Sequence, residues 1–178
     1  MTRLIQRLRT QEGFGLVELM ISLVVLNVGI LAIVAAFNGG SLALLRASET
    51  STAAMLADKQ AELYRAMTYS AISLNTTGVD GTYTGDVAYA GTRVTGACTA
   101  PVAVACIPTQ NITAAASPDG RPYRIDTFII RYTPAATNPG PPAPPVGREV
   151  KRVTVVVRRP TPLKVLARVN ANFDSSTG

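Results

Sequence analysis

From residue 14 the chain reads as one apolar run. Between Phe14 and Phe37 only Glu18, Ser22 and Asn27 are clearly polar. Those 24 residues predict a helix about 36 Å long, at about 1.5 Å per residue. A bilayer core is about 30 Å thick, so the run can cross a membrane with modest tilt. Asn38-Gly39-Gly40 predicts an interruption, because glycine costs about 1 kcal/mol against alanine in a helix. A 3.6-residue period resumes in "SLALLRASETSTAAMLADKQAELYRAMTYSAI". It sets Leu42, Leu45, Leu56, Leu63 and Met67 near one face, with Arg46, Glu49, Asp58, Lys59, Glu62 and Arg65 opposite. Such an amphipathic helix needs a surface to lie on.

From about Ser73 to Ser117 the helical period is lost, and the Gly, Thr, Ala and Val content predicts loops with short strands. Strand signals follow. Arg121–Thr133 places Tyr123, Ile125, Thr127 and Ile129 on one side. Arg148–Pro160 is rich in β-branched valine. It sets Val153, Val155 and Val157 on one face and Arg152, Thr154, Val156 and Arg158 on the other. The intervening stretch 134–147 is too rich in proline for regular structure, which predicts an exposed loop joining an antiparallel pair. Pro162–Phe173 predicts a third strand, with Leu163, Val165, Ala167 and Val169 alternating. The expected fold class is α+β: a long N-terminal helix, apolar in its first half and amphipathic in its second, packed on a small antiparallel sheet. The expected parts are a basic leader at 1–13, a membrane and assembly helix at 14–37, an amphipathic helix at 38–72 and a β-rich head at 73–178.

Composition sharpens this picture in three places. Hydrophobic residues make up 47%, an ordinary fraction, so the membrane reading rests on their distribution. Arg3, Arg7 and Arg9 precede the run against Glu12; basic flanks stay cytoplasmic, which predicts a single pass with the N-terminus inside and the rest exported. A cleaved secretory signal fits poorly, because the apolar run is too long and "AAFNGGS" offers no A-x-A site. In an exported domain Cys98 and Cys106 read as a disulfide closing a short loop, with two free thiols as the alternative. Two thiols without any histidine are too few ligands for zinc. There is no histidine for a general base, no P-loop and no Gly-x-Ser-x-Gly, so the expectation is a non-enzyme without cofactor or metal. A basic band, Arg148, Lys151, Arg152, Arg158, Arg159, Lys164 and Arg168 against Glu149, is a candidate contact for DNA phosphates or another anionic surface. A solvated sheet face is its alternative, and no aromatic residues interleave it as they do in single-strand binders.

The segment "GFGLVELMISLVVLNVGILAIVAAF", after a short basic leader, resembles the class III signal of type IV pilins and type II secretion pseudopilins. The resemblance implies cleavage by a prepilin peptidase between Gly13 and Phe14, and N-methylation of Phe14. It makes Glu18 the fifth mature residue, placed to pair with the N-terminal amine of a neighbouring subunit. Left alone, the same carboxylate would snorkel to the headgroups. Cleavage would leave 165 residues and lower the formal charge from +6 to +4. The later "REVKRVTVVVRR" resembles the terminal strands of PilV-type minor pilins. The apolar run lacks proline, and the two cysteines are close together and precede the strong strands. Both features favour a minor pilin or pseudopilin over a main filament subunit. The expected function is a minor prepilin of a type IV pilus, held in the inner membrane and then carried to the cell surface. Its expected partners are the peptidase and other pilins, met through the N-terminal helix. A pseudopilin in a periplasmic pseudopilus is the near alternative, and a pilus-associated adhesin or DNA-uptake subunit is the reading from another class.

Overall fold

Leu16–Arg65 forms one helix, α1. The computed structural model describes residues 15–96, 98, 103–132 and 149–175; the leader, Phe14 and the proline-rich stretch 134–147 lie outside the described residues. α1 runs through Gly39 and Gly40, where the sequence predicts an interruption. A helix that stopped there would leave up to four carbonyls and four amides unpaired, while each added residue gains a hydrogen bond. Helix-forming residues flank the pair on both sides, so continuation outweighs the glycine penalty.

The chain divides into two units, one closing at Leu45 and one opening at Arg46. In the first, every described residue is exposed. The second is built on a five-stranded antiparallel sheet. Its strands are β1 (Thr92–Arg93), β2 (Thr109–Ile112), β3 (Tyr123–Tyr132), β4 (Val150–Arg159) and β5 (Lys164–Asp174). β3, β4 and β5 form a meander, and β1 and β2 share the outer edge of β3. Between them that edge stays partly open: Thr127 N–H donates to Pro108 O at 2.8 Å. Its carbonyl accepts from the Tyr83 hydroxyl at 2.6 Å, so the gap leaves no orphaned backbone group there.

One face of the sheet packs on the second part of α1. Val153, Val155 and Val157 of β4 and Tyr123, Ile125 and Ile129 of β3 lie in a single apolar cluster with Ala53, Leu56, Ala57 and Tyr64. The sequence reading of the inward faces of β3 and β4 holds. The helical stripe is different from the one expected. Glu49, Ala53, Leu56, Ala57, Gln60, Ala61 and Tyr64 are its buried residues, while Leu42 and Leu45 are half exposed and Leu63 only partly buried. Alanines leave room on the helix for the branched valines to pack against it, and their many small contacts add up. Tyr64 supplies the bulk. Its hydroxyl donates to Ala105 O at 2.7 Å, and burial raises its pKa to about 12.

β5 also departs from strict alternation. The ladder to β4 shifts register between Val157 and Arg158. The extra residue on β5 brings Leu166 and Ala167 both against the core, and before it the phase is reversed. Leu163 and Val165, expected on the same side as Ala167, are therefore exposed.

The second face of the sheet is covered as well. Phe128 and Val156 pack there under Tyr83, with Val79, Ala88 and Tyr89 at the margin. The Tyr83 and Phe128 rings stack at 4.3 Å. The cover comes from the short helix α2 (Gly81–Thr84) and the 3₁₀ turn Val87–Tyr89.

Tyr64→Phe removes a donor to the carbonyl of buried Ala105. We expect a loss of about 1–3 kcal/mol, read from urea unfolding followed by near-UV circular dichroism of the detergent-solubilised chain. A shift no larger than that of Tyr132→Phe, whose hydroxyl has no such partner among the described residues, would refute the assignment.

Candidate functional site

A helix that exposes apolar side chains on all sides has found no partner within its own chain. Residues 15–45 are such a segment. Leu16, Leu19, Leu23, Leu26, Ile30 and Ile33 are each at least half exposed. The helix is long and apolar enough to cross a membrane, judged by length and composition. Glu18 is the only ionisable residue among these described positions, and it stands exposed in the first turn of α1. A carboxylate near a helix N-terminus is favoured by the macrodipole, and among the described residues Glu18 has no side-chain partner.

Three other polar side chains of the segment donate within the helix. Ser22 Oγ donates to Glu18 O at 2.8 Å, Asn27 Nδ2 to Leu23 O at 3.0 Å and Ser41 Oγ to Phe37 O at 3.0 Å. Asn27 thus already has an intrahelical acceptor. Glu18 is left as the polar side chain of the segment with a charge to place. Gly13 and Phe14, the expected cleavage and methylation positions, lie outside the described residues.

Cys98 and Cys106 are joined in a disulfide with Cα atoms 5.6 Å apart. The loop it closes carries Ala105, fully buried and bonded to Tyr64. The bridge therefore ties a loop to the helix–sheet core.

The basic band does not assemble as one surface. Arg148 lies outside the described residues. Lys151 is buried, and its Nζ donates to Tyr69 O at 2.6 Å and Ile72 O at 2.9 Å, closing the turn after α1. Arg159 pairs with Glu49, and Arg121 Nη1 lies 3.6 Å from the same carboxylate. Glu49, read from the helical period as solvent-facing, is buried by that pairing. Arg152 stacks 4.5 Å over Tyr132 and reaches Asn172. Lys164 is exposed.

Arg158 and Arg168 belong to a chain of alternating charges across the second face of the sheet. Arg124 and Arg158 stand opposite each other on β3 and β4, an arrangement that repels unless anions intervene. Asp126, fully buried, lies between them. It accepts from Arg124 Nε at 2.9 Å and from Thr109 Oγ1 at 2.9 Å. Arg158 Nε lies 3.1 Å from its other oxygen, a Coulombic contact poorly aligned for a hydrogen bond. At one end Arg124 is bidentate to Asp80, at 2.6 and 2.7 Å. At the other, Asp86 pairs with Arg158 and accepts from Arg168 Nη2 at 2.9 and 3.0 Å.

Asp80 and Asp86 also cap local turns, accepting from Tyr83 N at 2.9 Å and Ala88 N at 2.8 Å. Each stands three residues before a tyrosine, in "DGTY" and "DVAY", and the two rings meet edge to face at 5.7 Å. That doubled Asp-x-x-Tyr is the signal through which the sequence could have announced a cover for the second face.

Comparison with known proteins gives one match. A family model described as Prokaryotic N-terminal methylation motif matches residues 8–35. No curated protein and no solved structure shows significant similarity to the chain.

The ionic chain predicts acid sensitivity. Hydrogen bonds from Arg124 and the Tyr83 amide hold Asp80 below the ordinary carboxylate range. The Arg159 bond does the same for Glu49. For Asp86 burial pushes the pKa upward, but the Ala88 amide and Arg168 outweigh it, and the net shift is down. Groups with a depressed folded pKa stabilise the fold above their unfolded pKa, about 4, and lose that contribution as pH falls through the folded value. Stability should be flat from about pH 8 to 5 and fall below about pH 4. Urea midpoints across this range measure it; a fall that begins near pH 6.5 would contradict it.

Proposed function

Because the chain carries the prokaryotic N-terminal methylation motif, the mark of a pilin- or pseudopilin-like prepilin, we propose that it is a minor prepilin of a type IV pilus. A prepilin peptidase cuts between Gly13 and Phe14, the new Phe14 amine is methylated, and the subunit enters a filament through residues 14–37. Until then it waits in the inner membrane, N-terminus inside, with the head exported. The observation that supports this reading best is Glu18: one carboxylate on a helix segment whose every described face is apolar and exposed.

The physics runs as follows. An ionised carboxylate in the hydrocarbon costs about 3 kcal/mol or more. Cleavage would create a cation, the Phe14 amine, at the same end of the helix. When helices pack with an axial offset, Glu18 of one subunit meets the amine of the next. The pair is charge-assisted and strengthened by the low dielectric, and it acts as a register device. The pilin-like α+β fold fits a structural subunit. A type II secretion pseudopilin would use the same signal and the same chemistry. Adhesion or DNA uptake through the basic band draws less support, because Lys151, Arg158, Arg159 and Arg168 are engaged within the head.

Mass spectrometry of the N-terminus tests the reading. Cells with the peptidase should yield a chain beginning at methylated Phe14, and cells without it the unprocessed leader. An unprocessed leader in both would overturn the proposal. Glu18→Ala should leave membrane insertion intact and lower incorporation into sheared filaments by about tenfold or more, as expected from breaking a buried ion pair.

A further inference from the structure

The head unit opens at Arg46, and the 27 residues from Leu19 to Leu45 contain no ionisable group. As a helix they span about 40 Å. That exceeds a hydrocarbon core of about 30 Å and matches a bilayer with its headgroups, about 40–45 Å. Arg46 is thus the first charge the chain offers beyond a membrane, one helical turn before Glu49. It belongs to a definite end of the head. Glu49 pairs with Arg159, the last residue of β4, and approaches Arg121, just before β3. Glu49, Arg121, Pro122, Arg159 and Thr161 line one open surface cleft. Lys164 stands opposite Arg159 across the ladder, next to the turn 160–163.

This end combines two properties that water alone does not explain. Arg121, Arg159 and Lys164 gather there against Glu49 and Asp119, Arg46 lies one helical turn before Glu49, and Arg46 and Lys164 form no ion pair among the described residues. Asp119 is occupied by Ser117 and Tyr123. Beside Lys164, Leu163 and Val165 are 55% and 44% exposed, turned outward by the register shift in β5. Exposed aliphatic side chains flanked by unpaired cations fit an interface with an apolar interior and an anionic rim.

We propose that this end of the head, the β4–β5 turn with Arg46, docks on the anionic phospholipid surface of the membrane that holds the unassembled subunit. The cations meet the phosphates, and Leu163 and Val165 enter the headgroup layer. Docking holds the head against the bilayer until the subunit is withdrawn. The inference rests on the membrane-held prepilin reading and adds the surface on which the head waits.

The test uses the full chain reconstituted in vesicles, with Thr161→Cys labelled by a nitrobenzoxadiazole dye at its one free thiol. Resistance to alkaline extraction is measured first; a chain that washes off sinks the membrane reading itself. For the inserted chain, iodide quenching should be about threefold weaker in phosphatidylglycerol vesicles than in phosphatidylcholine vesicles, and high salt should remove the difference. Arg46→Glu with Lys164→Glu should remove it at low salt, with near-UV circular dichroism confirming the fold. Equal quenching in both lipids, or protection that survives salt and charge reversal, overturns the proposal. So does protection that grows with protein density, which would assign the surface to a second copy of the chain.

Discussion

Asp126 is the charge on which the second layer of the head closes. β3 and β4 place two arginines face to face, and a sheet that did so without an anion would repel itself open. A fully buried carboxylate between them removes the repulsion but creates a demand of its own. A buried charge has to be paired and bonded, and a single aspartate cannot neutralise two guanidinium groups. Asp80 and Asp86 supply the balance. Both are caps of short turns, so meeting the electrostatic demand also fixes the backbone of residues 80–89. Once that segment is fixed, Tyr83 lies over Phe128 and Val156 and reaches the open carbonyl of Thr127. Charge neutrality, local turn geometry and apolar cover therefore stand or fall together, and loss of any acid in the series would be felt in all three.

The helix shows the same logic divided along its length. From Glu49 to Tyr64 the apolar part of its buried stripe is three alanines, one leucine and one tyrosine, which suits a surface of branched valines already in place. From Leu16 to Leu45 it carries large aliphatic residues on every side, which suits a fluid or an interchangeable neighbour better than a fixed one. The head core draws on the first kind alone. Its cover, its ion pairs and its disulfide lie within residues 46–175, so the head keeps its own contacts whatever surrounds the apolar segment.

Much of this architecture is readable from residues, and the misses have physical causes. Alternation with a period of two identified Val153, Val155 and Val157, because a strand cannot hide which side it buries. It misjudges the opposite side, since Arg158 looks solvated until Asp126 and Asp86 are known to meet it, and Thr154 until its bond to Asn170 is known. A one-residue bulge reversed the phase of Leu163 and Val165, which no pattern of alternation signals. The glycine pair at 39–40 suggested a break because propensity is local, whereas helix continuity is cooperative. Ala53, Ala57 and Ala61 do not stand out beside the leucines, because an alanine carries little of the hydrophobicity on which a helical period is read. Glu18 was legible at once, since a charge in an apolar run has few uses. Its role is proposed from one side only, because the counterpart proposed for it is the amine of another subunit.

That asymmetry bears on how a membrane subunit can be drawn into a filament at all. Lipid tails and leucine side chains are about equally apolar, so moving residues 14–37 from one to the other gains little hydrophobic free energy. Packing contributes to the transfer, but an all-aliphatic surface packs in many registers with similar energy. A charge changes both terms. In lipid, Glu18 carries a solvation penalty that no aliphatic neighbour relieves. In the proposed assembly it finds a cation at one axial offset and at no other. In the proposed assembly the penalty in the first environment and the pairing in the second act in the same direction, so one carboxylate would supply both a reason to leave the bilayer and a register in which to arrive. The head, complete in its own core, can follow without refolding.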